Sequence, residues 1–324
     1  MMRGTSSRRI HRIVAAAIVA LVLGGCALLQ PNRAPIASFT VAPDEGYRPL
    51  DVSFDGAGSA DPDRDPLTYA WSFGDGSTGT GVRATHTYDH AGSYDVVLRV
   101  TDPEGLEDGS VETVEVFDVP EGYVVVPFDW TWDGAEQHLD ALLPWDLYQT
   151  YRGRLRTPLV DNYDYGAFVE DPLDDPTLED LADELADPVG GADPAFAEYA
   201  LGFVQGAIAY AADPPDVEWP LYPLETLVDG EGDCEDTAIL YVSLLKARGI
   251  SCQLAFVDTD GDASPDHVLA LVEVDGSSAQ PPGVTVFEWD GKRYAVAETA
   301  SGPMDLGVDP WGLEADDLIA LWPF

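Results

Sequence analysis

The apolar residues of this 324-residue chain follow one spacing up to Val119-Pro120 and another beyond it, and that break constrains the fold more than any other feature. Before the break, Leu50, Val52 and Phe54 alternate with polar residues, as do Tyr69, Trp71 and Phe73, and Tyr94, Val96, Leu98 and Val100. A period of two turns one side of each segment inward and the other to solvent, which predicts half-buried strands. Gly74-Asp75-Gly76-Ser77 and His90-Ala91-Gly92 provide turns between them, so residues 34–118 are expected to form an all-β sandwich. After the break, a strand over Tyr123 to Trp130 and a second ending near Leu143 flank the hairpin turn Asp133-Gly134. Helices are expected at about 145–152, 176–186, 194–211 and 234–248, and strands near 252–257, 267–274, 284–289 and 293–298. One buried helix against an antiparallel sheet makes residues 119–324 an α+β domain with its core at about 194–300.

Charge narrows the partners. Against 59 Asp plus Glu stand only 16 Lys plus Arg, a formal net charge of -43, so a phosphate backbone is repelled and nucleic acid is excluded as a partner. A hydrophobic content of 45% excludes a wholly disordered chain. Lys246 and Lys292 are the only lysines; a dense carboxylate surface with so little lysine predicts a halophilic protein that stays hydrated in concentrated salt. Arg3, Arg8, Arg9 and Arg12 precede an apolar run from Ile13 to Leu23, and no acid occurs before Asp44. That is a secretory signal over residues 1–25, too short in its apolar part for a bilayer span of about 20 residues. Ser7-Arg8-Arg9 resembles the start of a twin-arginine signal, but His11 and Arg12 stand where that motif prefers apolar residues, which leaves the export route open. Leu23-Gly24-Gly25-Cys26 resembles the lipobox of prokaryotic lipoproteins. The resemblance implies cleavage before Cys26, lipid on its sulfur, residues 26–33 as a tether, and a place on the extracellular face of the cell membrane. A plain signal peptide with an incidental cysteine is the alternative.

Two cysteines remain. An exported protein invites a Cys234–Cys252 disulfide, but the helix expected between them is roughly 20 Å long, whereas bridged Cα atoms lie about 4.4–6.8 Å apart. The pair is expected to be free. Cys234 sits in Gly230-Glu231-Gly232-Asp233-Cys234-Glu235-Asp236, with Asp233 as N-cap and Asp236 three residues later. The first turn of a helix favours a thiolate, and the flanking carboxylates oppose it. Activation therefore needs a base. His267 is the one histidine downstream, at the head of a strand, and Glu298 at the end of Tyr294-Ala295-Val296-Ala297 can orient it. A buried structural cysteine with a surface histidine is the competing reading.

Two stretches resemble known families. Asp61-Pro62-Asp63-Arg64-Asp65-Pro66-Leu67-Thr68-Tyr69-Ala70-Trp71-Ser72-Phe73-Gly74-Asp75-Gly76, with His86-Thr87-Tyr88 and Gly92-Ser93-Tyr94, resembles a PKD domain. This implies an Ig-like sandwich used as a spacer or as a binding module for surface proteins or glycans, with Trp71 and Tyr88 in its core. Tyr222-Pro223-Leu224-Glu225-Thr226-Leu227, Gly232-Asp233-Cys234-Glu235-Asp236 and Ser243-Leu244-Leu245-Lys246-Ala247-Arg248-Gly249 are similar to the transglutaminase-like cysteine peptidase superfamily, in its exported prokaryotic branch. His267-Val268, Tyr294 to Thr299, Phe203-Val204-Gln205 and Leu147 to Tyr151 fall in the matching order. That resemblance implies a papain-like fold with Cys234 as nucleophile, His267 as base and acid, and Glu298 as the orienting carboxylate, where many members carry Asp. Gln205 is a candidate oxyanion support or a packing cap. The implied reaction is acyl transfer on a peptide or amide, to water or to an amine. The rival is a non-catalytic adhesion or envelope scaffold. No cofactor is implied. Asp258, Asp260, Gly261, Asp262 and Asp266 resemble part of a calcium loop without its closing Glu, and Asp61, Asp63 and Asp65 are similarly close; solvated acidic loops are the favoured reading of both.

Overall fold

The computed structural model describes residues 31–154, 165–191, 193–213, 219–262, 264–274 and 284–323. The expected signal peptide, Cys26 and residues 277–283 lie outside the described residues. The chain divides into two compact units between Asp118 and Val119.

The first unit is a sandwich of two sheets. Strands β1 (Thr40–Ala42), β2 (Glu45–Tyr47), β3 (Leu50–Asp55), β4 (Thr68–Ser72), β5 (Thr78–Thr80), β6 (Arg83–Tyr88), β7 (Gly92–Thr101) and β8 (Glu107–Phe117) order as β1-β3-β6 and β2-β8-β7-β4-β5. The alternation in the sequence becomes the core: Val52, Phe54, Trp71, Val96, Leu98 and Val100 are all buried. Trp71 meets Phe39 edge-on at 5.1 Å and donates its Nε1–H to Gly81 O at 2.8 Å. The Tyr88 hydroxyl donates to Phe73 O at 2.8 Å, so both rings are core residues with satisfied polar ends.

The second unit opens with β9 (Tyr123–Trp132) and β10 (Ala135–Pro144), paired through a turn at Asp133-Gly134 whose φ values of 46° and 75° suit a two-residue hairpin. Helices α1 (Trp145–Arg152), α2 (Gly166–Val169), α3 (Asp175–Ala186) and α4 (Asp193–Ala207) follow. Next come β11 (Ala209–Tyr210), α5 (Pro223–Asp229), β12 (Glu231–Gly232) and α6 (Cys234–Ala247). Strands β13 (Cys252–Val257), β14 (His267–Glu273), β15 (Val286–Trp289), β16 (Lys292–Ala297) and β17 (Leu318–Pro323) form an antiparallel sheet in the order β15-β16-β14-β13-β17. Helix α6 is buried from Glu235 to Leu245 and packs on β13, β14, α3 and α4. Strand β13 is buried along its whole length because both sheet faces are covered. Leu254 and Phe256 face the helices, while Ala255 and Val257 face a second cluster with Leu269, Leu271, Val296 and Leu313.

Several elements differ from the expectation. Helix α4 stops at Ala207 rather than near 211, because the N–H groups of Ala209 and Ala211 bond Gly230 O and Gly232 O at 2.8 and 2.9 Å and draw the chain into a parallel bridge beside β12. Helix α5, with Pro223 in its first turn, and the edge strand β17 are additions. Strand β17 depends on β13, a partner distant in sequence. Among the described residues, no helix is long and apolar enough to cross a membrane.

Candidate active site

The start of α6 is built to hold one side chain in place. Gly232 approaches so closely that a Cβ there would lie 2.6 Å from the Asp236 Cβ. Asp236 accepts the N–H of Asp233 at 3.3 Å and that of Leu221 at 2.7 Å, and the Thr237 hydroxyl donates to Asp233 O at 2.8 Å. This fixes the turn that presents Cys234, which is partly exposed at the first helical position. Its thiol donates to Glu235 Oε2 at 3.3 Å. Helix α6 packs on β14, where His267 is the first residue.

The imidazole is held from the neighbouring strand. Glu298 follows directly on β16 and is 1% exposed. Its Oε2 accepts His267 Nε2 at 2.7 Å, and its Oε1 accepts the N–H groups of Ala300 and Ser301, each at 2.8 Å. With Nε2 carrying that proton, Nδ1 has no hydrogen-bond partner among the described residues and can accept one. Thr237 and Thr299 share a hydrogen bond of 2.9 Å, which ties the helix bearing Cys234 to the segment bearing Glu298. Trp311 lies 4.6 Å from the His267 ring. Its loop is organised by Asp309, which accepts the N–H groups of Trp311, Gly312 and Leu313 at 2.9, 3.0 and 2.6 Å.

Burial, then the Glu235 carboxylate, pushes the Cys234 thiol well above the ordinary thiol range, while the Val268 N–H pulls the other way. Burial and the charge of Asp233 raise Asp236 to about 8. Tyr210 is 60% exposed, and its phenol stands in the field of Cys234, Asp233, Glu235 and Glu298, which adds to the effect of burial in raising it. Sequence reasoning missed Tyr210 because the apolar stripe carries the expected helix past it; Asp213-Pro214-Pro215 just beyond is the available stop signal. Trp311 reads in the sequence only as part of a closing stretch, and the run of N–H groups on Asp309 has no signature there.

The structure gives Gln205 a different job from oxyanion support. Its Nε2 donates to Glu298 O at 2.6 Å and to Met304 O at 3.1 Å, and its Oε1 accepts the Met304 N–H at 3.1 Å. Both amide protons are committed, so the side chain straps the 298–304 segment to α4 and has no donor left for a substrate. Cys252 is free and buried in β13, and burial raises its thiol to about 12. The carboxylates of Asp258, Asp260 and Asp262 offer oxygens within 4.8 Å of one another. Asp258 Oδ1 is already turned onto the N–H groups of Asp260, Gly261 and Asp262 at 3.2, 2.7 and 3.3 Å. In the sandwich, Asp61 Oδ1 likewise accepts from the N–H groups of Asp63 and Asp65, and Asp63 pairs with Arg33 at 2.9 Å.

Comparison with known proteins matches this architecture. The family model for the PKD domain matches residues 32–117, and the model for the transglutaminase-like superfamily matches residues 180–292. The chain joins a PKD domain to a transglutaminase-like domain. Cys234 and His267 lie inside the second match, and Glu298 lies just beyond it. Collagenase ColQ1 of Bacillus cereus (strain Q1) is 40% identical over 87 residues, which are 27% of this chain and 9% of that protein. The microbial collagenase of Vibrio alginolyticus is 40% identical over 88 residues, again 27% of this chain and 11% of the relative. The chain thus spans about a tenth of the length of the curated relatives it matches. Among solved structures, the PKD1 domain of Vibrio anguillarum Epp is 37% identical, with a TM-score of 0.24, over 28% of this chain and 99% of that one.

Proposed function

We propose that the transglutaminase-like domain catalyses acyl transfer on peptide or amide bonds through Cys234, His267 and Glu298. The observation that carries the reading is the 2.7 Å bond from His267 Nε2 to buried Glu298, at the head of the strand on which the Cys234 helix packs. Burial and Glu235 keep the resting thiol neutral, so its proton passes to His267 Nδ1 as sulfur attacks the carbonyl carbon. The C–S bond forms, and the negative charge moves to the carbonyl oxygen near the backbone N–H groups at the start of α6, where one donor is commonly worth about 3 kcal/mol. Collapse breaks the C–N bond, and the amine leaves with the proton held by His267. Water or a second amine then opens the thioester with His267 as base. Glu298 keeps the imidazole in the productive tautomer throughout.

The deciding experiment is acylation by a p-nitrophenyl ester, read as added mass on Cys234 and as its release by water or by an added amine. The wild type is expected to acquire the adduct at neutral pH, and His267→Ala to slow it by at least about 100-fold. Equal rates in the two proteins would overturn the triad. The neutral thiol bonded to Glu235 favours a second reading, a binding scaffold without catalysis; that reading predicts no adduct at all. Faster release with an amine than with water alone marks a transferase, and the converse a hydrolase.

The PKD sandwich, the kind of segment shared with collagenases, is proposed to hold the enzyme to a protein substrate or to a surface protein or glycan. Anchoring through lipidated Cys26 on the extracellular face follows from the lipobox, and the mass of the mature N-terminal peptide tests it. Retention of structure in millimolar salt would count against a halophilic origin.

A further inference from the structure

A cleft of about 620 Å³ opens between the β9–β10 hairpin, α4 and residues 303–305, with neither Cys234 nor His267 in its wall. Its lining carries Trp130 and Trp132, four carboxylates from Asp129, Asp133, Glu136 and Asp305, and no basic side chain. The aromatic wall is built into the helix. Gly202 and Gly206 stand one turn apart on α4, where a Cβ would come within 2.6 Å of the Trp132 ring and 2.8 Å of the Trp130 Cβ. Two side chains are absent from that helix face, which lets the tryptophans lie against it. Trp130 is buried against Tyr199 and Phe203, whereas Trp132 remains only partly buried.

The carboxylates are not equivalent. Asp129 pairs with His138 at 2.8 Å, and Glu136 accepts the Thr131 hydroxyl at 3.3 Å. The side chains of Asp133 and Asp305 make no ion pair or hydrogen bond among the described residues. Unpaired carboxylates beside an indole attract a cation twice over, by charge and by the negative face of the ring. An anion is repelled, and a neutral chain of the same length gains only apolar contact. The cleft is linked to the candidate active site only through its lining residues. Gln205 lines it and bonds Glu298 O, and the chain from Glu298 runs through Met304 to Asp305 in the opposite wall.

We propose that this cleft is the subsite for a cationic side chain, lysine or arginine, of the polypeptide on which the Cys234 site acts. The assignment rests on the acyl-transfer reading for its purpose, but binding can be measured without the chemistry. The test uses the full chain carrying Cys234→Ala, titrated calorimetrically with the N-acetyl methylamides of lysine, arginine and norleucine. A cationic probe is expected to bind at least about tenfold more tightly than the norleucine probe, and comparison of lysine with arginine identifies the preferred residue. Asp305→Asn should reduce that preference at least about threefold, and Trp132→Leu should weaken the cationic probe by about tenfold. Equal affinity for norleucine, or a preference untouched by Asp305→Asn in a protein with unchanged circular dichroism, overturns the proposal. Neither result bears on the triad, which stands or falls on the acylation of Cys234.

Discussion

The two units handle the same acidic composition in opposite ways. In the sandwich, Asp55, Asp63, Asp75 and Asp102 are all held below the ordinary carboxylate range. Burial works against the charge of Asp75, yet hydrogen bonds from Ser77 and His86 hold it down to about 2, and Arg33 lowers Asp63. In the transglutaminase-like domain several acids are taken inside and pushed toward neutrality. Burial and Asp171 raise Asp174 to about 7, burial and Asp233 raise Asp236 to about 8, and Glu184 and Glu198 are raised chiefly by burial. Hydrogen bonds and ion pairs of this kind keep a carboxylate charged. Buried acids with displaced pKa values destabilise a domain, and they concentrate where chemistry is arranged; here Asp236 forms the turn that presents the thiol.

Substitutions can break or sharpen that contrast. The largest expected effect is complete loss of the acyl adduct in Cys234→Ala, while Cys252→Ala, at a thiol sealed in β13, still acquires it at the wild-type rate by mass spectrometry. Equal loss in both would dissolve the distinction between a site cysteine and a core cysteine. Next, Glu298→Gln removes the charge that orients His267, and the acylation rate should fall by roughly two to four orders of magnitude. On the other side of the comparison, Trp71→Ala should destabilise the sandwich by about 3–5 kcal/mol in denaturant melts. The acylation rate should stay the same, because the second unit has its own core.

A smaller effect separates the units by pH. An acid whose pKa is higher folded than unfolded binds more protons in the native state, so stability falls as pH rises between the two values. For Asp236 that window runs from 3.8 to about 8, and Asp236→Asn should flatten the decline in the second unit's melting temperature across it. Asp75 has the reverse sign: its contribution is present above 3.8 and is lost as pH falls toward 2. A sandwich that melted more easily with rising pH in the same range would erase the contrast. The smallest effect is expected for Trp311→Ala. Loss of the ring beside His267 should slow acylation by roughly tenfold and alter its pH profile more than its amplitude at saturating ester.

Strand positions in the sandwich were readable because a half-buried strand writes its burial into alternate residues, and Val52, Phe54, Trp71, Val96, Leu98 and Val100 all face inward. The hairpin at Asp133-Gly134 and the helix from Cys234 carried equally local signals, a turn with positive φ and a capped apolar run. At the site, chain order pointed to Cys234, His267 and Glu298 as side chains with suitable chemistry. It could not show that Gln205 straps the Glu298 segment, because that depends on carbonyls 93 and 99 residues away. Tyr210 was hidden by the same limitation: its helix ends on hydrogen bonds to Gly230 and Gly232.

Sequence alone determined the two-part division, the strand pattern of the sandwich, the buried helix and the residue types able to perform acyl transfer. All of these rest on spacing within a few residues or on the chemistry of single side chains. Tertiary structure decided which groups meet: helix α6 on β14, Glu298 on His267 Nε2, Trp311 beside the imidazole, and two tryptophans seated on the glycines of α4. Such contacts join residues far apart in the chain, and their geometry is set by how sheet and helices pack together.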